Sequence, residues 1–333
     1  MKAVGIKGEV GPATALFIDD IPEPAVSKGE VLVKINAFGL NRMDLIQREG
    51  HYPLPPQAPK TLGVEFSGVI EKTYGAASGI DSFKVGDEVF GLAYGGAYAE
   101  KIVVSTEMII HKPAKMSFEE AAGIPEAWIT ATQAVFLVGC FKKGDRVLLH
   151  AGASAVSLAA IQLARNAGAA EVFVTAGSQE KIDLCVNELG AAAGFNYKTQ
   201  DFAEEVLKAT GGKGVDLIVD FVVGQGYLEK DIRAAAVDCK IVLLGLMGGI
   251  ETQGPIDSGS ILRKRIRIEG SSLRSRSLDY QKALRDRLVQ EAMPRFEEDS
   301  FKLFIEKVFS WKDVVQAHQL LESNHPLPPR FQV

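Results

Sequence analysis

The 333-residue sequence has only three cysteines, Cys140, Cys185 and Cys239, far apart and odd in number. None forms a Cys-x-x-Cys pair, which argues against a zinc ribbon or a redox dithiol. They are expected as buried or half-buried free thiols of a reducing compartment. The histidines His51, His111, His150, His318 and His325 are scattered and make no ligand pattern. Basic charge is not in excess: a net charge of −5 and a pI near 5.7 leave no overall basic surface for nucleic acid or an anionic membrane. No stretch approaches the roughly 18 apolar residues that span a bilayer. The start, Met1-Lys2-Ala3-Val4, lacks the apolar core of a signal peptide and the Arg/Ser bias of a transit peptide. Repeats and low-complexity tracts are also missing. These absences lead to the expectation of a soluble, cytoplasmic protein.

What is present is material for two cores. Hydrophobic residues make up 47% and charged residues 24%, and the length allows two domains of roughly 100–200 residues. The first 120 residues read as short strands separated by Gly/Pro turns, such as Val31–Ile35 after Gly29-Glu30 and Glu88–Leu92 after Gly86-Asp87. His51 to Pro59 is proline-rich and reads as an irregular loop. This half is expected to be antiparallel and barrel-like. From Ser117-Phe118-Glu119-Glu120, a capping-box spacing, the pattern changes. Near-continuous apolar strands at Arg146–His150, Glu171–Thr175, Val215–Asp220 and Lys240–Leu244 alternate with helical runs at Leu158–Ala167 and Gln179–Leu189. That alternation predicts an α/β doubly wound parallel sheet covered on both faces. After about residue 265 it stops, and two amphipathic helices, Leu278–Ala292 and Lys312–Ser323, return the chain to the first domain. The expected division is 1–124 with 267–333 for one domain and 125–266 for the inserted nucleotide-binding domain.

The segment His150-Ala151-Gly152-Ala153-Ser154-Ala155-Val156-Ser157 joins a strand to a helix, where a dinucleotide pyrophosphate is held. Gly152, Ser154, Ala155, Val156 and Ser157 are its candidate contacts, although the loop contains one glycine only. In the next segment, Thr175-Ala176-Gly177-Ser178-Gln179-Glu180-Lys181, the strand ends without the acid that would hold a ribose 2′-hydroxyl; Glu180 is nearby, but on a helix it is expected to project away from Lys181. Ser178 and Lys181 suit a 2′-phosphate, which favours NADPH over NADH. The alternative is a helix start with Ser178 as its cap and Lys181 in solvent.

At this point the chain resembles the zeta-crystallin-like quinone oxidoreductases, a zinc-independent branch of the medium-chain dehydrogenase/reductase superfamily. The resemblance rests on Asn41-Arg42-Met43-Asp44, Leu62-Gly63-Val64-Glu65-Phe66-Ser67-Gly68, Ile124-Pro125-Glu126-Ala127-Trp128-Ile129-Thr130-Ala131, Thr175–Ser178 and Gly194-Phe195-Asn196-Tyr197. Leu244–Gly249 and Ser272-Leu273-Arg274-Ser275-Arg276 extend it. It implies a Rossmann domain inserted in a GroES-like catalytic domain. It also implies an NADPH-dependent quinone reductase, and a homodimer or tetramer pairing near Ile256–Ile268. Asn41, Tyr52 and Thr130 would face nicotinamide and substrate, with Phe221, Gly245, Leu246 and Met247 along the nicotinamide. Gly177 and Tyr197 would join Ser178 and Lys181, while Leu273 and Arg274 would close the cofactor. Zinc-dependent relatives carry cysteine at Asn41 and histidine at Val64, so a catalytic zinc is not expected. Two other readings stay open: reduction of an enone, enal or enoyl-thioester double bond, and a nucleotide-binding structural or redox-sensing protein with little turnover.

Two departures stand out. Ala155 and Ser157 replace the usual glycines, at about 1–2 kcal/mol each if their backbone is left-handed and at no cost if it is helical. Three prolines, Pro326, Pro328 and Pro329, are expected to prevent the strand with which the family ends, and they leave open whether Arg330 replaces the family's lysine.

Overall fold

The computed structural model describes residues 1–74, 83–323 and 330–332. The chain divides into two compact units, Met1–Ile129 with Arg274–Val333, and Thr130–Leu273.

The first unit is built on antiparallel strands. β1 (Lys2–Ile6) pairs with β2 (Leu16–Asp20). β3 (Glu30–Gly39), β4 (Glu65–Thr73), β5 (Glu88–Leu92), β6 (Lys101–Ser105) and β7 (Ile109–His111) form most of a larger sheet, with β14 (Val308–Ser310) and β15 (Arg330–Gln332) at one side. β3 buries Val31, Leu32, Val33, Ile35, Ala37 and Phe38, so both faces of this strand meet core. Its register with β4 shifts at Leu32/Val33 and at Ile35/Ala37, and such bulges bend a sheet toward closure. The helices are α1 (Arg42–Arg48), α2 (Phe118–Ala122), the start of α3 (Pro125–Thr132), α9 (Leu278–Glu291), α10 (Met293–Glu297) and α11 (Val314–Glu322). The capping box of Ser117 and Glu120 opens α2 as its spacing requires.

One expectation fails here. The chain does end on a strand: β15 pairs with β3 antiparallel and with β14 parallel. Pro326, Pro328 and Pro329 precede that strand in sequence, so no ladder amide is lost to them. The prolines, His325 and the Arg330 side chain lie outside the described residues.

The second unit is a six-stranded parallel sheet of β8 (Arg146–Leu149), β9 (Glu171–Ala176), β10 (Ala193–Asn196), β11 (Val215–Asp220), β12 (Ala235–Leu243) and β13 (Arg267–Gly270). Its spatial order is β10-β9-β8-β11-β12-β13, the doubly wound order with a switch point between β8 and β11. α4 (Ala155–Asn166), α5 (Gln179–Asp183), α6 (Phe202–Ala209), α7 (Tyr227–Ala234) and α8 (Ser258–Lys264) connect the strands. Leu148, Phe173, Phe202, Ile218, Ile232 and Ile241 pack a buried core. The segment 256–268 is mainly α8, and the edge strand is β13. Residues 133–138, after α3, and 184–188, after α5, wind as π-helix, a feature frequent at functional positions. Among the described residues no helix is long and apolar enough to cross a membrane. All three cysteines are free, Cys140 exposed and the other two buried. Cys140 therefore departs from the expected burial; Lys240 donates to its Sγ at 2.9 Å.

Candidate cofactor and substrate site

In the second unit the candidate residues gather at the C-terminal ends of the strands. β8 ends at Leu149, and α4 begins at Ala155 with Ser154 as its cap, whose Oγ accepts the Ser157 N–H at 3.3 Å. Ala155 and Ser157 lie in the right-handed first turn, so neither is strained. The left-handed residue of this loop is Ala151, with φ of 47°. Ser157 is buried, and its hydroxyl donates to the His150 carbonyl at 2.8 Å. Its side chain thus ties the helix to the strand end, which takes that hydrogen away from a phosphate. Gly152 donates to the Thr175 carbonyl at 2.8 Å. The first-turn amides of α4, including Ala155 and Val156, are of the kind an α-helix leaves without intrahelical partners.

At the end of β9, a Cβ on Gly177 would stand 2.7 Å from the Tyr197 hydroxyl. Glycine is needed there for the phenol to lie over the strand end. Ser178 caps α5 by accepting the Lys181 N–H at 3.4 Å. The cap does not exclude a ligand, because a hydroxyl that accepts can also donate. No carboxylate stands in the Thr175–Ser178 segment.

At the ends of β11 and β12, Met247 donates to the Phe221 carbonyl at 3.0 Å, bringing Phe221 beside Gly245, Leu246 and Met247. Leu246 and Met247 are 58% and 56% exposed, unusual for large apolar side chains. Thr130 Oγ1 is buried and has no hydrogen-bond partner. A helical threonine commonly bonds the carbonyl one turn earlier; this one does not. Gln133 Nε2 donates to the Ser272 carbonyl at 3.1 Å, tying the helix to the segment that ends in the buried Leu273. Next to it, Ser271 Oγ is a second buried hydroxyl without a partner. Sequence reasoning missed Ser271, whose only signal was its place beside the Ser272-Leu273-Arg274 marker.

The first unit holds Asn41, Tyr52 and Arg274. Asn41 precedes α1; its N–H donates to Asp44 Oδ2 at 2.8 Å and its amide nitrogen to Glu65 Oε1 at 2.9 Å. Glu65 Oε2 also accepts the Glu126 N–H at 2.9 Å. The amide of Asn41 is thereby fixed at both ends of the residue. Arg274 is buried and donates to the Tyr94 carbonyl at 2.6 Å and to Gln47 Oε1 at 2.8 Å. Its guanidinium carbon sits 5.3 Å from the centre of the half-buried Tyr52 ring. Arg274 is therefore built into this unit as an anchor for α1 and Tyr52.

Beneath Asn41 runs a buried chain that sequence reasoning did not find. Arg48 has only donors, so its Nη1 donates to His318 Nδ1 at 3.1 Å. That fixes the tautomer: His318 Nε2–H donates to the Tyr98 oxygen at 3.2 Å, and Tyr98 donates to Asp44 Oδ2 at 3.2 Å. Arg48 also meets Glu49 at 2.6 Å and Glu322 at 2.7 Å. Burial pushes Asp44 up to about 6, against the N–H bonds that favour its charge. Burial and the Arg48 charge push His318 down to about 3, so it is neutral.

This architecture, a barrel-like unit joined to a doubly wound unit with small and polar residues at its strand ends, defines a nicotinamide-dependent medium-chain dehydrogenase/reductase. Residues 27–114 match the alcohol dehydrogenase GroES-like domain, and residues 155–289 match the zinc-binding dehydrogenase family. The bovine quinone oxidoreductase-like protein 2 is 33% identical over 77% of this chain and 71% of its own. Human quinone oxidoreductase is 32% identical over 75% of each. The structure of the Coxiella burnetii quinone oxidoreductase has 30% identity and a TM-score of 0.78, covering 100% of this chain and 99% of that one. A mycobacterial structure complexed with NADPH has 27% identity and a TM-score of 0.85, with complete coverage of both. The chain belongs to the quinone oxidoreductase family of zeta-crystallin-like medium-chain enzymes.

The donor set here does not fit the zinc named in one of those descriptions. Val64 is buried and aliphatic, and the Asn41 amide is committed to Glu65. Among the described residues one cluster could suggest a metal, His150 with Asp220 and Asp231, and no spacing in the sequence announces it. His150 Nε2 lies 2.7 Å from Asp231 Oδ1. Two ligands on one tetrahedral zinc at about 2.0 Å would stand roughly 3.3 Å apart. The pair is a hydrogen bond.

Proposed function

We infer that the protein is an NADPH-dependent quinone oxidoreductase that works without a metal. The observation that carries this reading is the end of β9, where the Tyr197 hydroxyl and the Lys198 side chain stand against Gly177, Ser178 caps the helix that bears Lys181, and no carboxylate stands between Thr175 and Ser178. An acid there would repel a 2′-phosphate; a hydroxyl, an ammonium and a phenol suit one. The partnerless Thr130 hydroxyl supports the same reading, since it fits a carboxamide. The nicotinamide, when bound, supplies the hydride. In this reading the α4 N-terminus receives the pyrophosphate. Phe221, Gly245, Leu246 and Met247 flank the nicotinamide, and Leu273 covers it. Asn41 and Tyr52 orient a quinone oxygen, and Arg274 serves by holding Tyr52. A cytoplasmic homodimer completes the proposal, with sedimentation velocity as its check.

The test is a titration with NADPH and NADH, followed by nicotinamide fluorescence, then turnover with a quinone. K181A should weaken NADPH about tenfold, or about 1.4 kcal/mol, and leave NADH unchanged. Equal loss for both cofactors would remove Lys181 from the phosphate. Binding of neither nucleotide by the wild type would end the reading.

A further inference from the structure

The turn after β11 is strained without an evident need. Val223 has φ of 62° and Gln225 of 58°. A β-branched residue in the left-handed region is a true outlier, and such strain persists only where surroundings enforce it. Asp220 does the enforcing. Its Oδ1 accepts the Val222 N–H at 2.6 Å, and both its oxygens accept the Val223 N–H at 3.1 Å. The turn in turn holds the loop after β12: Leu244 donates to the Asp220 carbonyl at 2.8 Å and Gly248 to the Val222 carbonyl at 2.9 Å. A Cβ on Gly224 would lie 2.3 Å from the Gly248 carbonyl, so the loops stack backbone on backbone. Whatever fixes Val222 and Val223 fixes Leu246 and Met247.

Behind Asp220 stands Asp231 of α7. Its carboxyl lies within hydrogen-bonding reach of the Asp220 carboxyl, and its Oδ2 meets no other partner. Two carboxyl groups attract only if they share a proton. Asp231 Oδ1 accepts from His150 Nε2 at 2.7 Å, and His150 Nδ1 meets Thr175 Oγ1 at 2.8 Å, which Tyr227 also bonds. After burial, the Asp231 carboxyl raises Asp220 and His150 lowers it, and burial pushes His150 itself down to about 4. Asp231 also feels Glu229, and Cys239 feels Asp231. On its far side Tyr227 feels Tyr197. Asp231, Asp220 and His150 are fully buried.

We propose that Asp220 is a positioning residue for the nicotinamide: Asp231 keeps the shared proton, and the ionised Asp220 holds the strained Val222-Val223 turn that fixes the Leu246-Met247 loop. The proposal deepens the dinucleotide reading and rests on it. A second proton must sit on an Asp220 oxygen that faces N–H donors, which releases the turn. Burial first, then Asp231, raises Asp220 to about 6, so release falls near that pH.

The test measures Kd for NADPH and NADH from pH 5 to 8, with thermal unfolding of each variant. NADH is included because a phosphate monoester ionises near pH 6 on its own. D220N should weaken both cofactors about tenfold at pH 8, and D220N/V223G should return to within about threefold. D231N donates to Asp220 as the protonated Asp231 does, with no change of charge. It should bind like the wild type at pH 8 and keep the acid limb, while D220N, with no carboxyl to protonate, should lose that limb. Wild-type affinity in D220N, or an acid limb that persists in D220N, overturns the proposal. If D220N does not fold, V223G decides it alone: a flattened profile supports the proposal and a wild-type limb overturns it. A wild type that binds neither nucleotide refutes the dinucleotide reading; tight wild-type binding with no acid limb refutes only the role of Asp220.

Discussion

Each unit buries a chain of polar side chains under its candidate residues, and the two chains are balanced by different means. In the first, Arg48 supplies a permanent positive charge 1% exposed to solvent, and His318 and Tyr98 pass its polarisation to Asp44. In the second the groups against Asp220 are the Asp231 carboxyl and a His150 that burial keeps neutral, and the proposed shared proton stands where the first has its guanidinium. A guanidinium keeps its charge across the whole working range of pH; a shared proton does not. Asn41 is therefore held by an arrangement with a fixed cation, and the loop at Leu246-Met247 by one that titrates.

The largest effect expected from this contrast is on stability. R48M leaves His318, Glu49 and Glu322 without the buried guanidinium they share and should cost about 3–5 kcal/mol in urea unfolding. D231N, the corresponding change in the second unit, should cost under about 1 kcal/mol at pH 7, because the amide donates as the protonated acid did. Similar losses for the two would erase the distinction.

A smaller effect tests the state of His318. H318Q should cost about 2 kcal/mol at pH 7. The folded pKa of His318, about 3, lies below its unfolded value, so the wild type loses stability as pH falls below about 6.5 and the unfolded histidine gains its proton. The glutamine variant lacks that loss. The gap between the two thermal unfolding curves should narrow from pH 7 to pH 4; a widening gap would mean the buried histidine is charged.

The smallest effect concerns Ala151. With φ of 47° it is left-handed at the phosphate loop, and A151G should gain about 0.5–1 kcal/mol, read as a rise in Tm. No change would show that the loop relaxes in solution.

The fold was legible because its signals are local. Apolar strands alternating with helices revealed the parallel sheet, and Ser117 and Ser178 marked helix starts where the structure has caps, whereas Ser154, read only as a phosphate contact, caps a helix that begins three residues earlier than its expected start at Leu158. Asn41 with Asp44 also has a capping spacing, and the resemblance quoted both. What stayed hidden is long-range. Arg48 and His318 are 270 positions apart, and His150 and Asp231 are 81 apart, so no window of sequence joins them. Val223 could not be read as strained, because a valine after a strand is ordinary until its φ is known. The closing strand was missed because prolines were counted against a ladder that begins after them.

The two-part composition of the first unit also has a consequence for how the chain is made. The second unit is one continuous stretch, Thr130–Leu273, and all its strands have left the ribosome before α11 is translated. The first unit has to wait: His318 reaches Arg48, and β15 adds to β3, only when residues 318 and 330–332 emerge. Domains generally fold as units during synthesis. The nascent chain therefore carries a finished doubly wound unit while Arg48 and Asp44 still lack the imidazole that links them, and that interval is when the first unit depends most on being shielded.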